Sequence, residues 1–79
     1  MTLAFLFIEC LKEQAESVKR LAKQVQGVSE AHSISTGSYD VIVKVETEDE
    51  QNLKDVVQTI KGIAGIMAVI TSIAYGNVS

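Results

Sequence analysis

The amino-acid sequence predicts an α+β domain in which one four-stranded antiparallel sheet carries two helices on a single face. Three observations point to that class. Four stretches alternate apolar residues, two others repeat them every three or four positions, and the halves match at an offset of 38 residues, Gly27 falling on Gly65.

Thr2 to Glu9 opens the chain as a strand. Leu3, Phe5 and Phe7 fall on one side and Ala4, Leu6 and Ile8 on the other, so both faces need cover. The apolar stretch LAFLFIE lacks a basic leader, meets charge at Glu9 and is too short for a signal peptide or a membrane span. From Glu13 to Gln26, Ala15, Val18, Leu21, Ala22 and Val25 form the stripe of an amphipathic helix, with Glu16, Lys19, Arg20 and Lys23 between them and Gly27 ending it. No Ser, Thr, Asp or Asn marks its start.

Val28 to Ser35 sets Val28, Glu30, His32 and Ile34 against Ser29, Ala31, Ser33 and Ser35. With one side small and mostly polar, it is expected at a sheet edge. After the turn STGSYD, Asp40 to Glu46 is the clearest strand, with Val41, Val43 and Val45 on one face and Ile42 and Lys44 on the other. Thr47 and Glu50 then form a capping box for a helix carrying Leu53, Val56, Val57 and Ile60, closed by Gly62 and Gly65. Ile66 to Tyr75 is the last strand, apolar on both sides.

The order is therefore βαββαβ. Setting Gly27 on Gly65 also aligns Val25 with Ile63, Val28 with Ile66, Ala31 with Val69 and Phe5 with Val43. Two right-handed βαβ units wound together give a ferredoxin-like sandwich, a single domain over residues 1–79. Two helices cover only one face of the sheet. The other exposes apolar residues, Leu3 or Ala4 and Met67 or Ala68 among them, and a second copy is the expected cover, closing a dimeric α+β barrel.

Composition narrows the function. A chain of 79 residues builds a thin core, which favours association. Net charge is -3, and the seven Lys and Arg gather only at Lys19-Arg20, so no nucleic-acid surface is expected. The single cysteine, Cys10, cannot form an internal disulfide, which fits a reducing, cytoplasmic setting. Neither GxxxxGK[ST] nor GxGxxG occurs, Cys10 is not part of a CxxC, and the acidic run from Glu46 to Glu50 lacks the glycine of a calcium loop. His32 is the sole histidine and has no nucleophile partner in sight. No catalytic group, cofactor or metal is expected.

The turn and the last strand point further. T-G-S-Y-D followed by VIVKV, then a helix, then G-I-M-A-V-I-T-S-I, resembles the effector-binding (RAM, regulation of amino acid metabolism) domain of the Lrp/AsnC transcription regulators. Gly37, Tyr39 and Asp40 match that family's G-x-Y-D turn. Gly65 and Thr71 match its G-V-x-x-[ST]-x-T segment, with Ile66 for the valine and Val69 in place of the first hydroxyl residue. The resemblance covers essentially the whole chain, without the family's helix-turn-helix domain, so a stand-alone module with no direct DNA contact is expected.

The resemblance implies a homodimer joined through the sheet, assembly to a higher oligomer such as an octamer, and a free amino acid at dimer-dimer contacts. It also implies mixed association with full-length Lrp/AsnC regulators. Backbone amides at Gly37 and Ser38 would face the ligand carboxylate, Asp40 its ammonium group, Thr71 either end, and Tyr39 would form a flat wall. For four of these the residues alone leave a second reading open: Gly37 as a plain hairpin residue, Asp40 bonded to turn amides, Tyr39 as an oligomer contact and Thr71 as an ordinary strand residue. Two other functions remain in view. One is a structural assembly protein without ligand, the other a small dimeric barrel enzyme using His32.

Overall fold

The computed structural model describes residues 1–35 and 37–74. The elements are β1 (Thr2–Cys10), a 3-10 turn (Lys12–Gln14), α1 (Ala15–Lys23), β2 (Val28–Ser33), β3 (Val41–Thr47), α2 (Glu50–Lys61) and β4 (Ile66–Ala74). The strands form one antiparallel sheet in the order β2-β3-β1-β4, the expected ferredoxin-like arrangement with β2 at an edge. Tyr75, placed in the last strand from the sequence, lies outside the described residues.

Directly paired residues share a face, so the register sorts every side chain. Ala4, Leu6 and Ile8 pair with Val45, Val43 and Val41, and all six are fully buried. Val18 and Ala22 of α1 and Leu53, Val56 and Ile60 of α2 close over them. Each of the larger of these side chains contributes on the order of 1.5–3 kcal/mol by leaving water.

Among the described residues nothing covers the opposite face. Leu3, Phe5 and Phe7 of β1, Ile42 of β3 and Ala68, Ile70 and Ala74 of β4 lie on it, with Ile70 49% exposed. Of the two pairs of alternatives read from the sequence, Leu3 and Ala68 are therefore the open-face residues. Ala4 is core. Met67 sits where the β1–β4 register shifts beside Glu9 and Cys10 and is 62% exposed.

Three local expectations need correction. The first helix does not run from Glu13 to Gln26. With no side-chain cap at Leu11 or Gln14, the chain enters through the 3-10 turn, and the α-helix proper ends at Lys23. The second helix is not capped by Thr47 and Glu50. Thr47 still belongs to β3, so Asp49 is the N-cap, its carboxylate accepting from the Asn52 amide at 2.9 Å, while the Thr47 hydroxyl donates to the Asp49 carbonyl at 2.9 Å. The repeat also holds only in part. Helix ends Lys23 and Lys61, the positive-φ glycines Gly27 and Gly65, and strand starts Val28 and Ile66 keep the offset. Phe5 and Val43 do not correspond, because Phe5 faces outward and Val43 is core. The core residues are Ala4, Leu6 and Ile8 in β1 and Val41, Val43 and Val45 in β3, so the even offset that aligns the second halves of the repeat sets core residues of one strand on outward residues of the other.

Candidate functional site

The turn between β2 and β3 is built from both neighbouring strands. Gly37 has φ 75°, and a Cβ there would meet nothing within 4 Å, so backbone conformation and not space selects glycine. Thr36 lies outside the described residues. Ser38 is exposed. The Tyr39 ring leans against Phe7, centroids 5.6 Å apart and planes at 50°, which ties the turn to the open sheet face.

Asp40 holds the turn to β1. Its amide donates to the Ile8 carbonyl at 2.8 Å, its carbonyl accepts from the Ile34 amide at 2.8 Å, and its carboxylate oxygen Oδ2 accepts from the Cys10 amide at 3.0 Å. β3 begins only at Val41, so the carboxylate takes up the Cys10 N–H at the point where ladder pairing with β3 stops. The contact made is thus to β1.

Asp40 also lines a hollow of about 350 Å³ together with Lys12, Ala15, Ser33, Ile34 and Ser35. The Ser33 hydroxyl donates to Glu16 Oε2 at 3.0 Å, and Glu16 Oε1 pairs with Lys19 at 2.9 Å. Hydrogen bonds from Lys19 first and Ser33 second hold the Glu16 carboxyl below its ordinary range. Lys12, Ser33 and Ser35 were not singled out in the sequence. Antiparallel pairing of β1 with β3 was the available signal, since it sets the residues just after Cys10 beside Asp40.

Cys10 sits beneath this corner, 5% exposed. Burial pushes its thiol above the ordinary 9.0, and the Asp40 charge adds to that. A raised folded value makes the thiol a stabilising group below about pH 9.0 whose contribution is lost as pH climbs through the folded value. Iodoacetamide labelling followed by mass spectrometry is expected to be slow in the native protein at neutral pH and fast in denaturant. Rapid native labelling would contradict this placement.

Thr71 lies elsewhere. It pairs with Leu6 on β4 and is exposed, whereas Asp40 reaches β1 from the β3 side, so β1 separates the two within one chain. Val69, standing where a hydroxyl was expected, packs against the core. His32 is exposed on the open face, with Nε2 3.0 Å from Glu30 Oε1. Lys44 Nζ approaches Glu30 at 3.7 Å and Glu46 at 3.8 Å.

A second, larger groove of about 890 Å³ runs between the end of α1 and the start of α2. Its apolar wall holds Leu21, Val25 and Val56, its rim holds Glu46, Glu48 and Asp55, and the described residues lining it include no Lys or Arg. Among the described residues no three His, Cys, Asp or Glu gather as a metal site, and no helix is long and apolar enough to cross a membrane.

With this geometry in hand, comparisons place the chain among known proteins. The family model described as the Lrp/AsnC ligand binding domain matches residues 3–79. A homocitrate synthase of Sulfolobus acidocaldarius is 37% identical over 57 residues, 72% of this chain, and that match spans 12% of the enzyme's length. The crystal structure of TTHA0845 from Thermus thermophilus superposes with a TM-score of 0.88 at 28% identity, covering 95% of this chain and 94% of that one. The transcriptional regulator NMB0573 of Neisseria meningitidis, solved as an L-Met complex, shares the fold with a TM-score of 0.80 at 16% identity, over 99% of this chain and 52% of that one.

Proposed function

The chain belongs to the Lrp/AsnC ligand-binding domain family, and on that premise we propose that it binds a free α-amino acid at the STGSYD turn and assembles through its open sheet face. The family is one of small-molecule-binding regulatory domains, and the amino acid is our finer reading. The observation that carries it is the Asp40 carboxylate, pinned by the Cys10 amide at 3.0 Å beside the positive-φ Gly37. A fixed carboxylate suits a ligand ammonium group, and a glycine turn suits close approach by a carboxylate. The L-Met complex of a regulator with the same fold supports that ligand class.

Assembly follows from the uncovered face. Leu3, Phe5, Phe7, Ile42 and Ile70 form one apolar surface across three strands, and a second copy hides it symmetrically. Thr71, on the far side of β1, would then serve a site completed by a neighbouring dimer. Full-length regulators of the same family are the proposed partners in transcription control. A second reading keeps the ligand and changes the target: the match to one segment of homocitrate synthases favours a module that reports amino-acid levels to an enzyme.

Thermal unfolding against all twenty amino acids at millimolar concentration tests the ligand. A ligand at about 100 times its Kd stabilises by roughly 2.7 kcal/mol, which moves the midpoint of a domain this size by several degrees. A selective shift is expected. If none of the twenty moves the midpoint while the dimer persists, the chain is an assembly module without an amino-acid ligand.

A further inference from the structure

We infer that Lys12 reads the ligand carboxylate, so that the hollow it shares with Asp40 is the charged half of the site; this rests on the amino-acid proposal above. An α-amino acid carries an ammonium and a carboxylate one carbon apart, so the groups that recognise it must present both signs across one small cleft. Lys12 and Asp40 line the same hollow of about 350 Å³. Among the described residues no ion pair within 4 Å joins them, so neither charge neutralises the other directly.

The remaining lining fits the same ligand. Ser33 gives its proton to Glu16, leaving its oxygen lone pairs to accept from an ammonium group. Ser35 supplies a second hydroxyl, while Ala15 and Ile34 are apolar and suit an aliphatic side chain. The volume falls at the lower end of the roughly 300–1,000 Å³ common for ligand clefts. The larger groove between the helices offers carboxylates on its rim and no cation among the described residues, which matches only half of a zwitterion. Lys12 also brings what the Gly37 and Ser38 amides lack, a full positive charge.

The test compares wild type, Lys12→Met and Lys12→Arg by thermal shift and calorimetry against each of the twenty L-amino acids and its α-carboxamide. Wild type is expected to prefer one free acid over its carboxamide. Lys12→Met should weaken the acid roughly tenfold, leave the carboxamide unchanged and erase the preference, while Lys12→Arg keeps it. Lys12 is exposed, so the ligand-free midpoint should not move. If wild type binds and Lys12→Met retains the full preference for the acid, the inference fails and the amino-acid reading stands. If wild type binds neither acids nor carboxamides, both fail together.

Discussion

Replacing Asp40 with alanine is expected to abolish the amino-acid response and to lower stability by about 1–3 kcal/mol. The second effect arises because the Cys10 amide, part-buried and 3.0 Å from the carboxylate, is left without its acceptor. In a domain of this size each kcal/mol moves the midpoint by about 4–8 °C, so the change is easily read in a melt. Asp40→Asn separates the two roles. Its amide oxygen can still accept from Cys10 N–H, so the midpoint should return close to wild type, while the lost charge leaves ammonium binding weak. If Asp40→Asn responds to the amino acid as wild type does, Asp40 is an architectural residue and the ligand lies elsewhere.

Phe5→Asp is expected to convert the assembly to monomers without unfolding the chain. Phe5 is central on the open face: β1 is an inner strand, and Phe5 pairs laterally with Lys44 on β3 and Ser72 on β4. In the free chain an aspartate there would face Lys44, an opposite-charge cross-strand pair that is neutral to mildly favourable. In a two-fold interface the same change replaces two apolar rings with two desolvated carboxylates. Lys44, already beside Glu30 and Glu46, offsets only part of a desolvation cost of several kcal/mol per ion, so the dimer should weaken well over a hundredfold. Sedimentation over a concentration series, with a melt as the folding control, reads both outcomes. A dimer as tight as wild type would place the interface away from this face.

Much of the fold was legible because burial writes a period into the chain. Val41, Val43 and Val45 alternate, Leu53, Val56 and Ile60 recur at helical spacing, and the serines of β2 announce an edge. Parity was harder. Both faces of β1 are apolar, so nothing in Leu3 to Ile8 says which side the helices take, and the answer lies only in the pairing of Ala4, Leu6 and Ile8 with Val45, Val43 and Val41. The cap failed for a similar reason: Thr47, Asp49 and Glu50 all suit a helix start, and only the end of β3 decides among them. At the candidate site the turn motif was visible as contiguous letters. The Asp40–Cys10 hydrogen bond, the Tyr39–Phe7 contact and the hollow at Lys12 join residues about 30 positions apart in sequence and become visible only once strand pairing is known.

The pairing of Leu3 with Ala74 carries a consequence for inheritance between proteins. It brings the first and last described strands together at neighbouring positions, about 5 Å apart across the sheet. A host chain that enters at Thr2 and leaves after Ala74 does so at one spot, so the domain can be spliced into, or hung from, a larger protein without stretching the host across it. That geometry suits a portable module, and it gives a physical reason why kindred sequence should turn up as a small segment of a biosynthetic enzyme.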